Sequence, residues 1–148
     1  MRLVGSNTPL ARLWVRLSPV SSIQIADQTF LAAPGAVVAE LTNDPARWRR
    51  WWPDLELQVR EDRADKGIRW TVTGALTGTM EIWLEECMDG VIMHYFLHAE
   101  PSDGVVPPLR QLLAVNRTRR VAGRNMSFEI KARVEAGRPA GVAPAAVA

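Results

Sequence analysis

Residues 79–98 read TMEIWLEECMDGVIMHYFLH, two runs of alternating apolar and polar side chains separated by an Asp-Gly turn signal. Such alternation is typical of strands that bury one face, and Asp-Gly between two such runs favours a tight hairpin. The same alternation occurs upstream, so we predict four strands, at about 55–61, 68–74, 79–86 and 91–99. A turn at Asp65–Gly67 and a loop at Gly74–Gly78 join the first three, which predicts an antiparallel meander.

One long helix is predicted after the strands. A loop from Pro101 to Pro108 leads into residues 109–136, LRQLLAVNRTRRVAGRNMSFEIKARVEA, which contain no proline and end at Gly137. Gly123 interrupts the apolar face of this helix and permits a close approach to its backbone, at about 1 kcal/mol of helix propensity. At about 100° per residue the apolar face holds Leu109, Leu112, Val115, Ala122, Met126, Ile130 and Val134, and Arg110, Arg117, Arg120, Arg124 and Lys131 lie beside it.

The amino-terminal half predicts one strand and two short helices. Ser22–Leu31 indicates the strand, and Pro34 suits the first turn of a helix that ends near Leu41. Asn43 or Asp44 can cap a second helix, which stops at Pro53.

The second short helix carries the run Arg47–Trp52, which reads RWRRWW. We interpret it as a helix that buries Trp48 and one of Trp51 or Trp52 over the mouth of a pocket. The alternatives are a base-stacking platform and, because tryptophan beside arginine is also found there, an anchor at lipid headgroups or in a protein interface.

The composition is that of one globular domain, with 148 residues of which 47% are hydrophobic and 23% charged. No run approaches the roughly 18 apolar residues of a membrane-spanning helix. Residues 1–21 lack a clean secretory signal, and the single cysteine, Cys87, excludes an internal disulfide. We therefore expect a cytoplasmic protein.

Charge is strongly segregated along the chain. Residues 54–104 carry 4 basic and 11 acidic side chains, whereas residues 105–148 carry 8 basic and 2 acidic ones. An acidic sheet segment and a basic helix of one domain explain this pattern better than a nucleic-acid partner, which needs a basic surface without an acidic middle.

Neither a metal site nor a cofactor motif nor a catalytic constellation can be identified. His94 and His98 share a strand face but stand about 13 Å apart, too far to share an ion. Glu85 and Glu86 are adjacent and point to opposite faces of their strand. We therefore predict no metal and no cofactor, and we assign no catalytic residue.

The start of the first helix, Ala33–Leu41 (APGAVVAEL), is followed by Asn43–Trp48. With Gly78–Glu81 and Asp89–Val91 before the long helix, these residues resemble the START-like (SRPBCC) superfamily, in its bacterial polyketide cyclase/dehydrase and lipid transport branch. The resemblance covers about residues 22–137. It implies an α+β helix-grip domain, with a curved antiparallel sheet of about five strands wrapped on the long carboxy-terminal helix and two short helices after the first strand.

Members of this family usually have six strands after the two short helices, whereas this sequence predicts four. The difference indicates that a central hairpin is missing, so the cavity is shallower or more open. A narrow sheet with an exposed edge can also be completed by a homodimer.

The resemblance implies a hydrophobic ligand (a lipid, a polyketide or a quinone-like compound) between sheet and long helix. Plain core packing is the competing interpretation of the same apolar residues. Tyr95 is a polar candidate within the pocket, and Arg119 either meets an anionic ligand group or reaches the surface along its stem. The expected ligand-binding residues are Trp70, Met80, Ile82, Leu84, Met93, Tyr95, Leu97, Leu112, Val115, Arg119, Ala122 and Met126.

Two alternative functions remain open. One is a polyketide cyclase or dehydrase in which Tyr95 or Arg119 stabilises an enolate. The other is a protein-interaction module that uses the basic helix flank and an outer sheet patch of Trp83, Ile92 and Phe96.

The two ends of the chain lie outside the predicted domain. Residues 1–21 form an extension that is either disordered or contains a short amphipathic helix that touches a membrane surface or a partner, with Leu10, Leu13, Trp14 and Leu17 on its apolar face. Residues 138–148 are expected to be a disordered tail.

Overall fold

The computed structural model describes residues 20–139 and residue 142. It contains five strands and three α-helices, with a single 3-10 turn at Ala64–Lys66. The amphipathic helix predicted around Leu10–Leu17 and most of the tail lie outside the described residues. The elements in chain order are β1 (Ile23–Leu31), α1 (Gly35–Thr42), α2 (Pro45–Trp51), β2 (Leu55–Asp62), β3 (Gly67–Gly74), β4 (Leu76–Cys87), β5 (Gly90–Pro101) and α3 (Leu109–Val134).

The five strands form one antiparallel sheet in the order β1-β5-β4-β3-β2. The first strand crosses to the far side of the meander and pairs with the last, from Ile23 opposite Ala99 to Leu31 opposite Val91. Because side chains alternate between faces, this register gathers the buried apolar side chains of the strands on one face, called the inner face here. The prediction of a helix-grip fold with four strands after the short helices is confirmed.

Two turns differ in detail from the prediction. The predicted loop at Gly74–Gly78 is wrong, because β3 ends at Gly74, whose φ is 98°, and β4 already begins at Leu76. Leu76, the first residue of β4, is buried, so it belongs to the core and not to an exposed loop. The predicted hairpin at Asp89-Gly90 forms, but Gly90 pairs with Cys87 and the positive φ belongs to Met88.

The two short helices follow their local signals. The carboxylate of Asp44 accepts a hydrogen bond from the backbone N–H of Ala46 at 3.0 Å, which caps α2, and Pro45 occupies its first turn. The helix ends at Trp51, just before Pro53, and Trp52 is the residue that leaves it.

The long helix packs on the inner face through Met126 and Ile130, both fully buried. The prediction that Leu109 faces the sheet is wrong, since its side chain is 71% exposed. Asn116 lies beside the first residues of β1. Leu109 precedes it by seven residues, or about 10 Å of helix, and therefore lies beyond the edge of the sheet, where no strand of the described residues covers it.

Side chains of α3 bind the free edge of β1. The amide of Asn116 donates to the carbonyl of Ser22 and accepts from the N–H of Gln24, both at 3.1 Å. At the other end, the Lys131 ammonium donates to the carbonyl of Phe30 at 2.9 Å. These bonds protect one sheet edge from pairing with another chain and leave β2 as the open edge.

No helix within the described part of the chain is long and apolar enough to cross a membrane.

Candidate ligand-binding site

Four aromatic side chains fill the space between the sheet and the helices. Trp70 comes from β3 and Tyr95 from β5, whereas Trp48 and Trp52 come from α2 and its carboxy-terminal end. The ring of Trp52 stacks on Tyr95 with centroids 5.9 Å apart and meets Trp70 edge-on at 6.1 Å. Trp48 meets Trp70 edge-on at 5.3 Å. We call these four residues the aromatic cluster.

Three polar atoms of the aromatic cluster are buried without a hydrogen bond. The indole N–H groups of Trp52 and Trp70 and the hydroxyl of Tyr95 find no acceptor within the described residues. Trp48 provides the contrast, since its indole N–H donates to the carbonyl of Thr42 at 2.6 Å. Buried Trp and Tyr polar groups normally have partners, and each one left without costs about 1–3 kcal/mol. The interior therefore offers unused hydrogen-bond donors on Trp70 and Tyr95, whereas the indole N–H of Trp52 lies near enough to the Tyr95 hydroxyl to affect its pKa.

Tyr95 is held in its protonated form. Burial raises the pKa of its phenol above the usual range, and the nearby positive charge of Arg119 and the indole N–H of Trp52 oppose that effect only in part. A protonated phenol donates a hydrogen bond and does not act as a base at neutral pH.

The corner between α2 and β2 is fixed to α3 by an ion pair. The Arg119 guanidinium donates two hydrogen bonds to the Asp54 carboxylate, at 2.8 and 2.6 Å. These bonds lower the pKa of Asp54. The sequence did not predict this partner, a half-exposed carboxylate of the same chain.

A second contact binds α2 itself to α3. Glu129 accepts hydrogen bonds from the guanidinium of Arg50 and the indole N–H of Trp51. The bond from Arg50 is the main cause of the lowered pKa of Glu129. Trp51 in turn meets Trp52 edge-on at 5.6 Å, so this contact lies directly outside the aromatic cluster.

An open groove of about 300 Å³ runs between α2 and α3. Arg50, Trp51, Ala122, Asn125 and Glu129 line it. Ala122, which lines the groove, is followed by Gly123, whose backbone lies against the ring of Tyr95. The groove therefore lies over the aromatic cluster.

Most of the residues expected to bind a ligand lie together on the inner face. Trp70, Met80, Ile82, Leu84, Met93, Tyr95, Leu97 and Met126 are at most 3% exposed and belong to one cluster, and Leu112, Val115 and Ala122 pack against it from α3. With Trp52 in place the inner face is packed, because side chains this inaccessible have no room for water beside them.

The sequence did not predict the position of Trp52 or the partners of Arg119 and Arg50. Burial of Trp48 and of one of Trp51 or Trp52 was expected, and Trp48 and Trp52 are the buried pair. Trp52, however, lies within the interior instead of over its mouth. The signal available was Pro53, which ends α2 and lets the residue before it turn inward.

The described residues contain no group of three or more His, Cys, Asp or Glu side chains that could hold a metal ion. His94 is buried on the outer sheet face, where its Nε2 lies 2.8 Å from an oxygen of Glu85, and His98 is exposed.

Solved structures share this fold at low sequence identity. The Polyketide_cyc-like protein Cgl2372 from Corynebacterium glutamicum is 17% identical, with a TM-score of 0.53 over 84% of this chain and 99% of that one. Protein Ms6760 from Mycobacterium smegmatis is 11% identical, with a TM-score of 0.55 over 80% and 94%. The Aha1 dimer from Colwellia psychrerythraea is 11% identical, with a TM-score of 0.54 over 79% and 99%.

These likenesses define the class of fold. The chain has a START-like, polyketide cyclase-like fold, as its sequence pattern predicts. No protein-family model matches the sequence, and no curated protein matches it.

Proposed function

We propose that this protein binds an apolar small molecule that carries a hydrogen-bond-accepting oxygen, between the inner sheet face and α3. The observation that carries this proposal is the pair of buried donors on Trp70 and Tyr95, for which the described residues provide no acceptor. Indole N–H groups only donate, and the protonated phenol donates as well, so the group they suit is a carbonyl, ester or quinone oxygen. Apolar walls with a few converging polar groups are typical of small-molecule sites.

Ligand entry requires Trp52 to move, since its ring occupies the centre of the packed interior. Trp52 follows the last residue of α2, and its ring is held by stacking on Tyr95. The adjacent groove between α2 and α3 provides space for the displaced indole ring. A lipid, polyketide or quinone-like ligand would then replace the ring and satisfy the donors that remain on Trp70 and Tyr95.

The START-like fold supports this proposal, because its sheet and long helix bring the expected ligand-binding residues to one side. The sheet has four strands after the short helices, fewer than the resemblance implies, so we propose a small site and a compact ligand. The cytoplasm stays the proposed location.

A matched pair of ligands tests the proposal. Native mass spectrometry of the purified protein first reports any bound small molecule, and Trp fluorescence then follows titration with 2-nonanone and with nonane. We expect the ketone to bind about tenfold more tightly, because one or two new hydrogen bonds each contribute roughly 0.5–1.5 kcal/mol.

The variant Tyr95→Phe removes one donor and keeps the ring. It should reduce the preference for the ketone several-fold and leave nonane binding unchanged. Trp83→Phe on the outer face is the control and should change neither affinity. The absence of binding by both compounds would refute the proposed site, whereas equal binding would keep an apolar site and refute the role of the donors.

An enzymatic role as a polyketide cyclase or dehydrase is the second candidate. It is favoured by the same unpaired Tyr95 hydroxyl, a proton donor that could stabilise an enolate oxygen. Arg119 is less suited to that role because Asp54 already binds it. Unchanged turnover of a polyketide substrate by Tyr95→Phe and Arg119→Gln would remove this candidate.

A protein-interaction role is the third candidate. The outer sheet face carries Trp83, which is 38% exposed, next to the half-buried Ile92 and Phe96. His94 fills the space between the two aromatic rings, stacked on Trp83 at 4.5 Å and on Phe96 at 6.2 Å. A homodimer through this patch or through the open β2 edge would be seen by light scattering.

A further inference from the structure

The solvent face of α3 and the loop before it expose large apolar side chains. Their exposed fractions range from 49% to 71%, which is unusual for so many neighbouring apolar residues. The residues are Val105, Val106, Leu109, Leu113, Val121 and Phe128.

The same face is strongly basic. Residues 109–128 contain five arginines and no acidic residue. Arg119 and Arg124 form ion pairs with Asp54 and Asp27. Arg110, Arg117 and Arg120 are exposed, and none forms an ion pair with another residue that the structure describes.

Apolar and basic side chains share one stripe along the helix. At about 100° per residue, the large exposed apolar side chains from Leu109 to Phe128 fall within an arc of about 120°, and the three free arginines fall in the same arc. The guanidinium of Arg124 lies over the Phe128 ring, 5.1 Å from its centroid. We call this arc, together with Val105 and Val106, the basic apolar stripe.

We propose that the basic apolar stripe docks on an anionic lipid bilayer. Exposed Leu, Val and Phe side chains enter the headgroup and acyl boundary, while arginines beside them bind lipid phosphates. Each basic residue near an anionic surface adds attraction, and the stripe holds at least three whose charge is not neutralised within the protein.

Charge argues against the other occupants of this face. A second copy related by two-fold symmetry would place the arginines of this stripe, including the three that form no ion pair, against the same arginines of its partner. Residues 1–19 precede β1, whose start contacts Asn116 of α3, but they carry Arg2, Arg12 and Arg16 and no acidic residue. A nucleic acid would use the arginines and leave the apolar side chains without a role. A bilayer surface uses both.

Docking through the stripe would lay α3 parallel to the membrane. The groove between α2 and α3 would then open beside the lipid headgroups, because Asn125 lines the groove and borders the stripe. This orientation does not depend on whether the interior binds a ligand.

Flotation of the full chain with lipid vesicles tests the proposal. We expect binding to vesicles of equal parts phosphatidylcholine and phosphatidylglycerol, and little binding to phosphatidylcholine alone. Replacing Arg110, Arg117 and Arg120 by Gln together should weaken binding to the anionic vesicles about hundredfold, at roughly fivefold per charge. The matched control replaces Arg49, Arg60 and Lys66, three exposed cations elsewhere, and should bind like the native protein.

A second variant tests the apolar part of the stripe. Leu109→Ser with Leu113→Ser should also reduce vesicle binding, by about tenfold, without lowering the melting temperature.

Several outcomes would overturn the proposal: equal binding to both vesicle types, no binding, or a triple arginine variant that binds like the native protein. If residues 1–19 or a second copy cover this face, the leucine variant will lose thermal stability or become monomeric, and the full chain will not float. Sensitivity of binding to the arginines but not to the leucines, with equal affinity for random duplex DNA, would assign the face to a polyanion instead.

Discussion

The ring of Tyr95 lies directly against the backbone of α3 at Gly123: a Cβ atom at position 123 would stand 2.5 Å from Cε1 of Tyr95. The sheet and the long helix therefore meet through an aromatic ring and a missing side chain. This contact fixes how close α3 comes to the inner face. It also leaves the Tyr95 hydroxyl deep in the interior without a partner.

We expect Gly123→Ala to destabilise the protein although alanine is the better helix former. The helix gains about 1 kcal/mol of propensity, but forcing Tyr95 aside costs about 1–3 kcal/mol. Urea unfolding should show a net loss of roughly 1 kcal/mol. In a protein that also carries Tyr95→Leu, Gly123→Ala should instead raise the free energy of unfolding, because no ring opposes the new methyl group. Ala114→Gly, at an exposed position of α3, measures the difference in helix propensity between alanine and glycine alone. A stabilised single variant would show that Tyr95 does not press on the helix.

Tyr95→Phe should raise the stability of the ligand-free protein. The hydroxyl is buried without a partner, so its removal relieves a desolvation cost of about 1–3 kcal/mol and leaves the ring contacts with Trp52 and Gly123 in place. The control is Thr42→Val, which removes a buried hydroxyl that donates to the carbonyl of Ala39 and should lower the free energy of unfolding by about 1 kcal/mol. A loss of stability in Tyr95→Phe would mean that the hydroxyl has a partner in solution.

The strands and the long helix could be predicted because each follows a local period. Alternation over 79–98 and the apolar repeat from Leu112 to Ile130 give the buried faces correctly. Leu109 fits the same repeat but is exposed, because a helical period does not indicate where the sheet beneath the helix ends.

The candidate site was only partly predictable because it depends on contacts between distant parts of the chain. Trp70, Tyr95 and Met126 were expected from periodicity, whereas Trp52 belongs to no periodic element. The pairing of Arg119 with Asp54 joins residues 65 positions apart, and no spacing rule identifies such a partner.

Asn116→Leu should expose the edge of β1. The amide of Asn116 binds the N–H of Gln24 and the carbonyl of Ser22, so its loss leaves two backbone groups without a side-chain partner. We expect the backbone N–H of Gln24 to exchange with deuterium faster and the free energy of unfolding to fall by about 1 kcal/mol. Thr118→Val, on the exposed side of the same helix, should leave Gln24 exchange unchanged. Unaltered protection of Gln24 in Asn116→Leu would refute this edge contact.

Acid should loosen the contacts that bind α2 and its corner to α3. Hydrogen bonds from Arg119 and from Arg50 lower the pKa values of Asp54 and Glu129, respectively. A carboxyl whose pKa is lower in the folded state stabilises the protein fully above its unfolded pKa, about 4, and that contribution is lost as pH falls through the folded value. Urea unfolding should therefore show that stability falls between neutral pH and a pH of about 3. The tryptophan fluorescence of the protein should change in the same window, because α2 and Trp52 separate from α3. In Arg119→Gln the acid-dependent loss should be smaller, because Asp54 then titrates nearer its usual pKa, whereas Glu40→Gln, at an exposed position of α1, should follow the native profile. A native-like profile for Arg119→Gln with Arg50→Gln would show that these two ion pairs do not hold α2 in place.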